Sequence, residues 1–161
     1  MKKISIVMTL LLVCFSFATC YAIPFSEISL GGIKLGMSRQ DVKDIYGEPN
    51  EISHRIAVTG NEVEDWQYGD DFDITFYNDV VDAVSTHGKN GIKSPSGFTC
   101  GSFSFWDVRS YYEDKYGEYP HASYDISGNM FYECDNPIIS RIEFKFNNDK
   151  IRRITIYKVY Y

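Results

Sequence analysis

The residues best suited to chemistry in this chain are three histidines (His54, His87 and His121), an acidic run Asp70-Asp71-Phe72-Asp73, and four cysteines. None of the histidines has cysteine, histidine or carboxylate neighbours at zinc-ligand spacing, and neither H-E-x-x-H nor C-x-x-C occurs. No G-x-S-x-G elbow is present, and Gly31-Gly32 with Gly36 reads as turn residues before a helix rather than a phosphate cradle. A calcium loop of the EF-hand type needs glycine at its sixth position; counting from Asp71, that position is Phe76. Strand alternation instead places Asp71 and Asp73 on the solvent side. These patterns assign no catalytic residue, no metal ligand and no cofactor. Because a triad is defined by geometry and not by spacing, a small extracytoplasmic enzyme stays open as the alternative reading.

Residues 1–22, MKKISIVMTLLLVCFSFATCYA, have the parts of a secretory signal: Lys2 and Lys3, then a nearly continuous apolar run, then small residues. Cleavage is expected after Ala22. The apolar run is short for a membrane span, and nothing later is longer. Thr19 stands before Cys20 where a lipoprotein signal carries Gly or Ala, so lipid anchoring at Cys20 is not expected. The expected location is the periplasm or the cell exterior, with no transmembrane span after the leader is removed. Losing two lysines takes the formal net charge from −6 to −8. Such an acidic surface disfavours nucleic acid or anionic lipid as a partner, since either needs a basic patch. Cys100 and Cys134 remain, and an even pair in an oxidising compartment most simply forms one disulfide. Its loop of about 34 residues corresponds to about 3–4 kcal/mol in the chain-entropy picture.

The elements that must position these residues repeat along the chain. Tyr46-Gly47-Glu48 returns as Tyr116-Gly117-Glu118, and Phe76-x-Asn78-Asp79 returns as Phe146-x-Asn148-Asp149, both at a shift of 70. Ser38 and Asp41 match Ser104 and Asp107 at a shift of 66, which adds about one turn to the second helix. Each serine reads as an N-cap and each aspartate as its capping-box partner. Met37 with Val42, and Phe103 with Val108, read as hydrophobic staples; Gly47 and Gly117 read as left-handed stops, backed by Pro49 and Pro120. Residues 71–77 alternate, with Phe72, Ile74 and Phe76 on one face and Asp73, Thr75 and Tyr77 on the other. A turn at Asn78-Asp79 joins them to a return strand over 80–86, and residues 141–159 repeat the hairpin. A further strand is expected at 63–68 and at 129–133. The expected fold is α+β: two tandem repeats, each a short helical segment packed on an antiparallel sheet of about three strands. The repeats span 23–87 and 98–161, with a glycine- and proline-rich linker at 88–97.

The string IKLGMSRQDVKDIYGEP, followed by DWQYGDDFDITFYNDVVDAVST, resembles the SmpA/OmlA small outer-membrane lipoprotein family. Two such units in tandem are similar to the β-lactamase inhibitor protein, whose helices lie on one side of a curved antiparallel sheet. The resemblance covers 33–86 well and 103–158 more loosely. It implies a non-enzymatic, extracytoplasmic protein that binds another protein, either in envelope assembly or as an inhibitor docked by its open sheet face. Tyrosines would then serve as anchors, and acidic residues would steer toward a basic partner. The candidate partner-binding residues are Trp66, Tyr68, Asp73, Thr75 and Tyr77, with alternation leaving Trp66 open between core and open face. Tyr157, Tyr160 and Tyr161 crowd the C-terminus. An envelope-structural role without a discrete ligand is the third reading.

Overall fold

The computed structural model describes residues 22–57, 60–117, 122–124, 128–134 and 137–160, with backbone alone at 122–124. The expectations placed on the leader through Cys20, and on Glu118, Pro120, His121 and Tyr161, lie outside these residues. A 3-10 turn (Phe25–Glu27) leads into a ribbon of β1 (Ser29–Leu30) and β2 (Ile33–Lys34), then helix α1 (Arg39–Tyr46). Strands β3 (Glu51–Ile56), β4 (Glu62–Tyr68), β5 (Phe72–Tyr77) and β6 (Val80–His87) follow. Helix α2 (Phe105–Tyr116) precedes β7 (Ala122–Tyr124), β8 (Met130–Cys134), β9 (Ser140–Asn147) and β10 (Lys150–Lys158). The main sheet is antiparallel, in the order β3-β4-β5-β6-β10-β9-β8-β7.

This overturns the α+β expectation of two helical units, each on its own sheet of about three strands. The described chain is mostly β, and its two halves share one continuous eight-stranded sheet. The halves join because β6 pairs with β10 from Arg153↔His87 to Tyr157↔Ala83. On one side of that seam Val84, Thr86, Ile154 and Ile156 are fully buried, so separating the halves would expose the middle of the core. Each half also holds a fourth strand that hydrophobic alternation does not reveal. All six residues of β3 are exposed, so it carries no buried stripe to read.

The local chemistry of the helix ends follows the residue types. Ser38 Oγ accepts the Asp41 N–H at 3.2 Å while Asp41 accepts the Ser38 N–H at 2.9 Å; Ser104 and Asp107 exchange the same bonds at 3.2 and 2.7 Å. Val42 and Val108 are fully buried, with Met37 and Phe103 packed beside the core. Gly47 (φ 77°, ψ −157°) and Gly117 (φ 91°, ψ 170°) end the helices. That is an extended positive-φ conformation rather than the left-handed helical one expected, and it is essentially restricted to glycine. Both hairpin turns have positive φ at each central residue (Asn78 50°, Asp79 66°; Asn148 49°, Asp149 57°), the twist that suits a two-residue hairpin.

Hydrogen bonds from Ser38 and Ser104 hold the Asp41 and Asp107 carboxyls below the ordinary aspartate range. A carboxyl whose folded pKa is depressed stabilises above its unfolded pKa, and the contribution disappears as pH falls through the folded value. The double variant Asp41→Asn/Asp107→Asn is therefore expected to melt below the wild type at neutral pH. The gap should persist down to the ordinary aspartate range, about 4, and close as pH falls below it, as followed by thermal unfolding. A pH-independent gap would contradict the assignment.

The connection at 88–97, expected as a linker, is packed. Lys93 O accepts the Gly31 N–H at 2.9 Å, and Ser94 is buried with Phe98 beside it. The N-terminal turn is tied to α2 by the buried Glu27 carboxylate, which accepts from Lys115 Nζ at 2.9 Å and Tyr116 OH at 2.7 Å. No described helix is long and apolar enough to cross a membrane.

Candidate binding face

Strand alternation gives the sheet two unlike faces. Phe72, Ile74 and Phe76 look toward the helices. On the other face a row of cross-strand neighbours runs Ser53, Asp65, Thr75, Ala83, Tyr157 and Arg141 through six strands, and ends on Glu133. The adjacent row runs Gln67, Asp73, Ser85, Thr155 and Glu143. This helix-free face is thus polar along its middle, whereas its partner face is apolar.

Three of the five residues expected to bind a partner lie there: Asp73, Thr75 and Tyr77. The other two do not. Trp66 pairs with Ile74 and Tyr68 with Phe72, so both share the helix-side face. Trp66 is 2% exposed, with its ring 4.6 Å from Phe76 and Lys43 Nζ 5.4 Å from its centroid. Its indole N–H donates to Glu64, which also accepts from Arg39. Tyr68 packs on Tyr46 and donates to Gly47 O at 3.0 Å. These two are scaffold, not open surface.

The helix-free face contains a groove of about 290 Å³ at the β3–β6 end. Val63 and Ala83 contribute to its lining, Tyr77 and Tyr160 meet edge to face at 6.3 Å, and Arg55 lies across from them. The polar groups in and beside it are pre-positioned. Asp65 accepts from Arg55 Nε at 2.6 Å and from Thr75 Oγ1 at 2.5 Å; Asp82 accepts from the Tyr160 hydroxyl, with Lys158 Nζ 3.8 Å away. Burial, then the bond to Asp82, pushes the Tyr160 phenol above its ordinary pKa. Farther along the face, burial raises the Asp73 carboxyl, partly countered by His87 and Arg153. Arg141 donates to Glu133 and lies 4.3 Å above the Phe131 ring. An apolar floor, two tyrosine rings and held carboxylates can receive a side chain.

Sequence reasoning missed Arg55, Asp82 and Ala83. It noted Tyr160 without a place for it, because only the β6–β10 pairing brings the C-terminal segment beside Tyr77. The two described histidines do not converge: His54 lies on the outer strand near Glu62 and Glu64, and His87 Nε2 is 3.1 Å from Asp71. Among the described residues, no three His, Cys, Asp or Glu side chains gather to hold a metal.

The expected disulfide is not formed. Cys100 and Cys134 are both buried, but the Cys100 thiol sits against Thr86 O of β6, whereas Cys134 ends β8. Three strand spacings separate β6 from β8, about 14 Å in all, where a disulfide needs Cα atoms within about 7 Å. Burial pushes the Cys100 thiol up to about 11, which keeps it protonated and unreactive near neutrality.

No family profile matches the chain, and no curated protein matches it. Solved structures with a similar backbone include an extracellular protein containing an SCP domain from Bacillus anthracis, at TM-score 0.48 and 17% identity over 77% of this chain and 44% of that one. A cysteine-rich secretory protein from Staphylococcus aureus gives TM-score 0.47 and 8% identity over 77% and 43%. A DUF4309 family protein from Bacillus subtilis gives TM-score 0.42 and 9% identity over 80% and 83%. The chain thus spans less than half the length of the first two.

Proposed function

We propose that this chain is an exported, non-enzymatic binding module whose helix-free sheet face receives a basic segment of another protein. The groove beside Tyr77 and Tyr160 carries the reading, because it combines rigid aromatic walls, an apolar floor and pre-bound carboxylates. A lysine or arginine stem would lie against the tyrosine rings, with its charge toward Asp82 and Asp65. The acidic balance of the chain would steer such a partner inward. The leader pattern and the SmpA/OmlA-like strings support an envelope setting for this encounter.

A photo-crosslinking side chain at position 77 tests the proposal against one at position 106, since Trp106 is 61% exposed and lies on α2. The expected result is a discrete protein adduct from position 77 and not from position 106. Adding Tyr160→Ala should cut it about tenfold, and raising salt should weaken it. Equal adducts from both positions, or indifference to Tyr160→Ala, would overturn the assignment.

A further inference from the structure

Strand β3 closes one end of the main sheet, and among the described residues nothing pairs with its outer edge. Its phase is set by Ala57 N–H donating to Asn61 O at 2.7 Å and by the register Glu51↔Gln67 to Ile56↔Glu62. Antiparallel ladders alternate, so the odd-numbered residues bond inward to β4. Ile52, His54 and Ile56 therefore aim their backbone N–H and C=O groups outward. The same three side chains line the helix-side face of the strand, with Ile52 47% and Ile56 68% exposed. An open edge of this kind is a template for another strand unless something blunts it. No proline or bulge within Glu51–Ile56 does so.

We propose that β3 pairs antiparallel with β3 of a second copy of this chain, about a two-fold axis through His54. The sequence Glu-Ile-Ser-His-Arg-Ile complements itself in that arrangement. Each Ile52 falls opposite Ile56 of the other copy, covering the exposed apolar stripe. Each Glu51 comes within diagonal reach of Arg55 of the other copy on the helix-free face, so unlike charges meet. A parallel pairing in register would set like against like. The outward groups of Ile52, His54 and Ile56 close about six backbone hydrogen bonds, and the two main sheets become one. This contact shares Arg55 with the rim of the Tyr77–Tyr160 groove, but its backbone pairing does not depend on the groove's occupant. It is a small interface, well below the area of a stable obligate dimer, so the association is concentration-dependent.

Sedimentation equilibrium of the mature chain over a range of concentrations tests self-association. His54→Pro removes an outward donor without touching the ladder to β4, and it should weaken dimerisation about tenfold or more with the far-UV circular dichroism retained. Register is read separately with single cysteines under mild oxidation. His54→Cys places the two thiols on Cα atoms about 5.5 Å apart and should give covalent dimer, whereas Ile52→Cys leaves them too far apart to bridge. A wild type that stays monomeric at all concentrations would overturn the proposal. So would a dimer indifferent to His54→Pro, or equal bridging by both cysteine variants.

Discussion

Tyr112→Ala should destabilise the chain by about 3–5 kcal/mol, lowering the melting midpoint by about 10–20 °C. Tyr112 is fully buried on the inner face of α2. Its ring stacks on Tyr132 of β8 at 3.9 Å and lies within 6.2 Å of Phe98, Tyr111, Tyr116 and Phe144. Truncation would remove the ring through which helix, connection and sheet all touch, leaving a cavity among large side chains that cannot close around it. The hydroxyl matters less. It meets Ser96 Oγ at 3.4 Å, a long contact, so Tyr112→Phe should cost under about 1 kcal/mol. Equilibrium unfolding in urea distinguishes the two. A loss under about 1 kcal/mol for the alanine variant would mean that α2 is not held by this stack.

Trp66→Ala is expected to cost a similar amount, about 3–5 kcal/mol, for a different reason. The indole fills the space between α1 and the sheet, and its N–H occupies a Glu64 oxygen that Arg39 also uses. Truncation leaves a cavity and takes one donor from a carboxylate that is 17% exposed. Tyr77→Ala offers the contrast. It lies half-buried at the groove, so stability should change by under about 1 kcal/mol while capture of a protein partner falls. If Trp66→Ala left stability intact and abolished capture, the assignment of faces would be reversed.

Those two tryptophan and tyrosine outcomes mark the boundary of what the sequence made legible. Serine caps, glycine stops and Asn-Asp turns were readable because each depends on a few adjacent residues and on backbone geometry alone. The alternation of β5 was readable too, and it placed Asp73, Thr75 and Tyr77 on the open face. Trp66 was not, because Val63, Trp66 and Tyr68 are all apolar or aromatic and the phase of β4 is set only by its pairing with β5. The merged sheet was hidden for a related reason. Nothing local in Val80–His87 or Lys150–Lys158 says which strand each will meet on its second side. The missing disulfide follows from that same pairing, which holds the Cys100 thiol at the β6–β10 seam, away from Cys134 at the end of β8. Tyr160 reached the groove by the same route, so the half of the site supplied by the C-terminal segment was invisible until the seam was known.

The seam between β6 and β10 also governs when the molecule can become whole. Its paired residues stand about 70 positions apart, and β10 follows every other described strand along the chain. A nascent chain can form the first four-stranded meander early, but the β6 flank of that meander stays bare and its apolar layer open until β10 arrives. The closing step is therefore a long-range search, slow beside hairpin formation, and the intermediate before it is the sticky one. A chain stopped short of β10 would lose more than its final strand. It would leave β6 and β9 each with an empty side, at what should be the middle of the sheet.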